Sequence, residues 1–147
     1  LPTPLCVGLG AAAAVAAAEM ESESARISAL KNRLLEGIRG RLSGVALNGH
    51  AAQRIAGNLN LAFEGVDAEA LMRALPRLAV SSGSACTSTA VEPSYVLRAL
   101  GLPEARARSS LRLAVGRFNT AAEIDQAVEE LATQVERLRS EGSAAAE

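Results

Sequence analysis

A single cysteine in the middle of the chain has the most reactive side chain of its segment. Cys86 lies within Ser81–Ala90, where its neighbours are all serine, glycine, alanine or threonine. Because none of these neighbours is bulky, we expect a solvent-facing loop after the apolar segment Leu78–Val80. A thiol in such a loop is not shielded and can act as a nucleophile through its thiolate. From the loop alone, a catalytic cysteine and an incidental one both stay open.

One arginine has a position suited to binding a carboxylate. The segment Ser110–Gly116 alternates, with Leu111, Leu113 and Val115 on one face, which predicts a strand. The strand therefore presents Arg112 on the opposite face. A guanidinium can hold a carboxylate through two parallel hydrogen bonds, which a lysine cannot do. Without further information, a solvated surface arginine is the simpler interpretation.

Composition and charge exclude several classes of function. The net charge of −1 gives no electrostatic basis for binding nucleic acid or an anionic membrane. The two cysteines, Cys6 and Cys86, make no disulfide framework. With the single histidine, His50, they could supply at most three zinc ligands, at a spacing typical of no metal site. We therefore predict no metal and no nucleic-acid partner.

The alanine-rich stretch Leu5–Ala18 does not resemble a leader peptide or a membrane span. No basic region precedes it, and we judge it too short and too weakly apolar to cross a bilayer. We expect a cytoplasmic protein, with Cys6 as a small core residue of a helix. The chain starts with Leu1 rather than Met, and its first four residues resemble a linker, so we expect a piece of a longer protein.

Hydrophobic periodicity predicts an α+β fold, in which helices cover one face of a small, mainly antiparallel sheet. We expect a long N-terminal helix over Pro4–Arg41 and a final amphipathic helix opened by a capping box at Thr120 and Glu123. The predicted strands are Val45–Leu47, Asn58–Phe63, Arg77–Ser82 and Ser110–Gly116. Two short helices are predicted, one over Ala68–Leu75 with Asp67 as N-cap and one from Pro93 with Val96, Leu97 and Leu100 facing inward.

Four segments closely resemble one enzyme family, the group I cysteine desulfurases of the nitrogen-fixation and iron–sulfur-cluster type, within the class V aminotransferase-like enzymes. The resemblance covers residues 1–139 and is carried by Asn58–Phe63, Leu78–Ser88, Glu92–Gly101 and Ser109–Phe118. It implies the small domain of a pyridoxal-phosphate-dependent transferase of fold type I, in an enzyme that is a homodimer.

The chemistry that this resemblance implies is a sulfur transfer. In the family, pyridoxal phosphate activates L-cysteine, a loop cysteine attacks the substrate sulfur, alanine leaves, and the persulfide passes to a sulfur acceptor or scaffold protein for iron–sulfur cluster or thiolation pathways. By position, Cys86 resembles the nucleophile and Arg112 the arginine that binds the substrate α-carboxylate. Arg117 could assist near the site or form an ion pair at the strand end, and we expect the second. We expect Asn58, Asn60 and Tyr95 to shape the strand and the helix rather than to contact substrate.

The part of the protein with which enzymes of this family bind the cofactor is not found in this sequence. The only lysine, Lys31, occupies a polar position of an amphipathic helix and not a histidine- and serine-rich loop of the kind that the family uses for its Schiff base. We therefore expect residues 1–139 to be the C-terminal small domain and residues 140–147 a frayed tail. A larger domain absent from this chain would bind pyridoxal phosphate and dock in part on the alanine-rich helix. Alone, the chain should be inactive.

Two other functions stay open at this point. One is a stand-alone sulfur carrier or interaction module that receives a persulfide on Cys86. The other is a thiol hydrolase in which His50 acts as the base for Cys86, which requires the two side chains to lie within hydrogen-bonding distance. The short tail from Ser140 also lacks a segment with which relatives engage a scaffold protein, so another acceptor is possible.

Overall fold

The structure, a computed structural model, describes residues 2–82 and 94–144. Within these ranges the elements are α1 (Thr3–Arg41), β1 (Val45–Leu47), β2 (Asn58–Phe63), α2 (Ala68–Ala74), α3 (Tyr95–Ala99), α4 (Glu104–Arg108), β3 (Ser110–Ala114) and α5 (Ala121–Ala144). The strands form one antiparallel sheet in the order β1-β2-β3. The α+β class, the long first helix and the amphipathic last helix are thus confirmed.

The hydrophobic core lies between one face of the sheet and two helices. Leu61, Phe63 and Leu111 of the sheet are fully buried, as are Ile38 of α1 and Leu131 of α5. The alternation that predicted β2 and β3 produces this burial, since every second side chain points toward the helices. Two ion pairs join α1 and α5 along the edge of the core, Arg33 with Asp125 at 2.6 Å and Arg41 with Glu129.

Helix α1 has two halves with different environments. Leu34 and Ile38 in its C-terminal half are buried in the core, whereas Leu5 and Leu9 in its N-terminal half are 71% and 73% exposed. Cys6 lies in this half and is exposed, so its prediction as a core residue is wrong. Our judgement that the stretch is too short and too weakly apolar for a bilayer is also wrong on those two criteria. By length and composition alone, the uninterrupted helix is long and apolar enough to cross one, a test that the core helix of a soluble protein and an N-terminal signal sequence also pass.

Two predicted elements differ from those observed, and one observed helix was not predicted. Arg77–Ser82 is not a strand, because only Ser81 forms a bridge, with Arg112. In α3 only Leu97 is buried, while Val96 and Leu100 are half exposed, and Pro93 lies outside the described residues. Helix α4 was not predicted, because its five residues are too few to show a helical period.

Two predicted helix caps are confirmed, and the last helix is longer than predicted. Asp67 accepts a hydrogen bond from the Ala70 N–H at 2.9 Å, as an N-cap does. Thr120 and Glu123 form the capping box at the start of α5. Helix α5 continues to Ala144, so residues 140–144 are helical where a frayed tail was predicted. A pair between Arg137 and Glu141, at 2.6 Å, joins adjacent turns there.

Candidate functional site

Four polar residues form a row across the face of the sheet that points away from the core. In the middle of β3, Arg112 pairs directly with Asn60 of β2. On its other side it exchanges both backbone hydrogen bonds with Ser81, at 2.6 and 3.2 Å. Just after β1, the Asn48 N–H donates to the Asn60 carbonyl at 2.9 Å. Because directly paired residues share a face of a sheet, the four side chains lie on one side. We call Ser81, Arg112, Asn60 and Asn48 the polar row.

The Arg112 side chain is available to bind a ligand. It is exposed, and within the described ranges its guanidinium has no hydrogen bond or ion pair. Near the Asn48 end of the row, the side chains of Arg106 and Arg54 both donate hydrogen bonds to protein oxygens. Arg106 donates to the side chain of Asn48 and the carbonyl of Leu47, and Arg54 donates to three backbone carbonyls. The prediction that β3 presents Arg112 away from the core is confirmed.

Asn48 is the buried anchor of the row. It is only 3% exposed, and three side chains surround it. Its Oδ1 accepts from Arg106 Nε at 2.7 Å, and its Nδ2 donates to Asn60 Oδ1 at 2.6 Å and to Ser110 Oγ at 2.8 Å. Ser110 Oγ in turn donates to the Arg106 carbonyl at 2.6 Å. Sequence analysis missed Asn48 because two of its three side-chain partners come from α4 and β3, far along the chain.

Arg117 does not join the row. Its guanidinium pairs with Glu23 at 2.5 Å and lies 3.6 Å from Glu19, both in α1. Arg26 also donates to the Arg117 carbonyl. This confirms the expected ion pair at the strand end and gives Arg117 a structural role between β3 and α1.

The His50 side chain accepts hydrogen bonds from neighbouring backbone N–H groups. Its Nδ1 accepts hydrogen bonds from the N–H groups of Ala52 and Gln53, at 3.1 and 2.8 Å. A neutral imidazole with Nδ1 as acceptor carries its proton on Nε2, which leaves no free lone pair for a general base. This arrangement disfavours the hydrolase with His50 as base. Cys86, its supposed partner, lies outside the described residues, so the distance between them is not defined.

Lys31 is in the wrong place to hold pyridoxal phosphate. It is buried, at 8% exposure, and not on the solvated side of the helix as predicted. It belongs to α1, which packs on the core face of the sheet, opposite the polar row. The described residues therefore do not fit the cofactor. They also contain no group of three or more His, Cys, Asp and Glu side chains that could bind a metal ion.

The sequence also matches a known protein family. The model of the class V aminotransferases matches residues 1–127. Over 139 residues, 95% of the chain, the sequence is 53% identical to a cysteine desulfurase IscS of Shewanella baltica. It is 49% identical over 140 residues to one of Rickettsia rickettsii. The chain spans about a third, 34%, of the length of these relatives.

Solved structures share the fold. A NifS-like protein from Rickettsia africae superposes with a TM-score of 0.75 at 21% identity, over 88% of this chain and 33% of that one. DndA from Streptomyces lividans gives a TM-score of 0.57 at 35% identity, over 79% of this chain and 32% of the other. The family match starts at residue 1, so the apolar half of α1 lies within the matched region. On its sequence, and with a sheet and helices that superpose on NifS-like proteins, the chain belongs to the class V aminotransferase family.

Proposed function

We propose that this chain is the C-terminal small domain, over residues 1–139, of a cysteine desulfurase that converts L-cysteine to L-alanine. The observation that carries the proposal is the backbone pairing of Ser81 with Arg112. It places an unpaired arginine beside the point from which the chain leads to Cys86. Four residues lie between Ser81 and Cys86, and the five steps along the chain limit their Cα atoms to a distance of about 18 Å. The identity of about half to cysteine desulfurases supports the same function.

Each of the two residues has a distinct role in this proposal. Arg112 binds the α-carboxylate of L-cysteine through two parallel hydrogen bonds and so fixes the orientation of the substrate. The Cys86 thiolate attacks the substrate sulfur and forms a new S–S bond while the substrate C–S bond breaks. The electron pair of that bond stays on the carbon, which takes up a proton, and L-alanine leaves. The persulfide on Cys86 then passes to a sulfur acceptor for iron–sulfur cluster or thiolation pathways.

The remaining parts of the enzyme come from outside this chain. Pyridoxal phosphate, bound by a larger domain, supplies the activation of the L-cysteine carbon skeleton that makes the C–S bond labile. The exposed apolar half of α1 is a suitable surface for that domain, since monomeric proteins seldom leave such a patch uncovered. We propose a cytoplasmic homodimer, with the dimer contacts made largely by the larger domain.

The test is a chimera in which this chain replaces the matching third of the Shewanella baltica IscS. We expect the folded, cofactor-loaded chimera to release sulfide from L-cysteine in the presence of a thiol reductant. Cys86→Ser should abolish the release. Arg112→Lys, which keeps the charge but loses the paired hydrogen bonds, should raise KM about tenfold or more. The isolated chain with pyridoxal phosphate should release no sulfide.

Two results would contradict the proposal. One is a folded, loaded chimera without turnover, although the parent IscS is active under the same conditions. If Cys86 of the inactive chimera still accepts sulfur from an added persulfide, the carrier module becomes the better interpretation. The other is sulfide release by the isolated chain that disappears in Lys31→Arg, because Lys31 would then hold the cofactor.

A further inference from the structure

We propose that Asn60 is a second binding residue for the substrate carboxylate, with its side-chain amide N–H groups beside the guanidinium of Arg112. The inference rests on the proposed function and deepens it. It also revises the expectation that Asn60 only shapes its strand. The argument uses the orientation of two amides, the register of the sheet and the unused donors of Asn60.

The orientation of both amides follows from the chemistry of arginine. A guanidinium can only donate, so the atom of Asn48 that faces Arg106 Nε at 2.7 Å must be the amide oxygen. The nitrogen of Asn48 therefore faces Asn60 and Ser110. Since that nitrogen donates, Asn60 must present its own oxygen to Asn48. This places the Asn60 NH₂ group on the other side of its amide, away from Asn48.

The register of the sheet determines what lies beside that group. Asn60 and Arg112 are directly opposite each other in β2 and β3. The pairs three positions away on either side are hydrogen-bonded, by Phe63 N–H to the Ser109 carbonyl and Val115 N–H to the Gly57 carbonyl, both at 2.9 Å. The two kinds of pair alternate along an antiparallel ladder. Asn60 and Arg112 thus form a non-hydrogen-bonded pair, in which facing side chains come closest. One carboxylate between them would meet donors from both.

The Asn60 NH₂ group has no other use within the part of the chain that the structure describes. Asn60 is half-buried, and its only side-chain hydrogen bond there is the one that its oxygen accepts from Asn48. A half-buried donor without an acceptor costs free energy unless water or a ligand satisfies it. One strand away, the guanidinium of Arg112 also has no partner within the described residues, although its side chain is exposed. Two adjacent, unused donors of this kind match the two oxygens of a carboxylate.

Asn48 and Arg106 have a positioning role in this site. Neither side chain belongs to β2 or β3, and both act through the orientation that they impose on Asn60. Helix α4, which contributes Arg106, thereby connects the sheet edge to substrate binding.

The test compares Asn60→Asp with Asn58→Asp in the chimera. The first variant keeps an oxygen for Asn48, removes the NH₂ group and places a negative charge beside the substrate carboxylate. We expect KM for L-cysteine to rise about ten- to a hundredfold, the range of one hydrogen bond to a charged group, with kcat changed less than about threefold. Asn58 lies on the same face of the same strand but opposite Ala114, so its variant is the matched control and should keep the wild-type KM.

A ligand without a carboxylate separates binding from a structural effect. Cysteamine has the amine and the thiol of L-cysteine only, so its inhibition constant should stay within about threefold of wild type in Asn60→Asp. Equal losses for both ligands would overturn the inference, as would an unchanged KM for L-cysteine. If Asn60→Asp does not fold, Asn60→Ala tests the same point without the charge and should raise KM in the same direction. A chimera that is active and sensitive to Arg112→Lys but insensitive at Asn60 refutes this inference and leaves the proposed function standing.

Discussion

The arginines near the polar row differ in what their guanidinium groups contact, and this difference separates structural from binding residues. The guanidinium groups of Arg106 and Arg54 donate hydrogen bonds to protein oxygens, whereas that of Arg112 has no hydrogen bond or ion pair within the described residues. A surface arginine without partners contributes little to stability. Its position in a row of polar groups is therefore better explained by a ligand than by folding.

The buried anchor of the row gives a prediction at the residue scale. Asn48→Ala removes three side-chain hydrogen bonds and leaves Arg106 Nε without its acceptor in a part-buried position. We expect the free energy of unfolding to fall by about 2–4 kcal/mol, measured by urea denaturation of the isolated chain. Asn58→Ala, in the same strand and without a side-chain hydrogen bond among the described residues, is the control and should cost less than about 1 kcal/mol. Equal losses would show that Asn48 is not an anchor.

Sequence analysis predicted the outward-facing position of Arg112 but not the environment of Asn48, for a physical reason. The face of Arg112 follows from strict alternation within one strand, which is local information. The environment of Asn48 depends on Ser110 and Arg106, about sixty residues away, and on the short helix α4, which has no period of its own. The environment of Lys31 was likewise predicted wrongly, because burial of a helix face depends on what packs against it.

At the scale of elements, local signals predicted the helix ends and the strands of the sheet well. Asp67 and Thr120 begin helices where the sequence indicated, because a cap needs only residues within one turn. The alternation in β2 and β3 determined both burial and register. Arg77–Ser82 did not become a strand, since a strand needs a partner along its length and only Ser81 has one. Such pairing is not encoded in the segment itself.

The capping box of α5 makes the stability of the chain depend on pH. The Thr120 backbone N–H, and then the Asn119 side chain, hold the pKa of Glu123 below its ordinary value of 4.5. A pKa that is lower in the folded state means that folding favours the ionised form. This stabilisation is complete above the unfolded pKa and is lost as the pH falls through the folded pKa.

When the pH is lowered below about 4.5, we therefore expect the Tm of Glu123→Gln to fall less than the Tm of wild type. Thermal unfolding monitored by circular dichroism at neutral and acidic pH measures this decrease. Glu136→Gln is the control on the same helix, because the Glu136 carboxylate has no hydrogen bond or ion pair within the described residues. A Glu123→Gln curve parallel to that of wild type would show that the capping carboxylate does not contribute. The pKa of Asp125, lowered by the hydrogen bond from Arg33, acts in the same direction and is present in all three proteins.

At the scale of the whole molecule, the N-terminal half of α1 belongs neither to the core nor to the candidate site. The first buried residue of α1 is Lys31, and every described residue before Glu23 is exposed. Deleting residues 1–18 should therefore lower Tm by less than about 4 °C, since no core side chain is removed. A deletion that extends to residue 34 removes Leu34 and is expected to abolish cooperative unfolding. If the shorter deletion also abolishes it, the exposed half of α1 contributes to the fold in a way that its contacts do not indicate.

Because α1 is one uninterrupted helix of 39 residues, about 58 Å long, it can act as a rigid shaft between its two ends. One end is fixed to the sheet that carries Arg112, and the other is the apolar end proposed to hold the larger domain. The rotation of one end of α1 relative to the other, about the helix axis, would then set the direction in which Arg112 faces the cofactor. One alanine inserted within residues 11–14 would turn the two ends by about 100° relative to each other while lengthening the shaft by only about 1.5 Å. Turnover by the chimera should be lost although both ends keep their own structure.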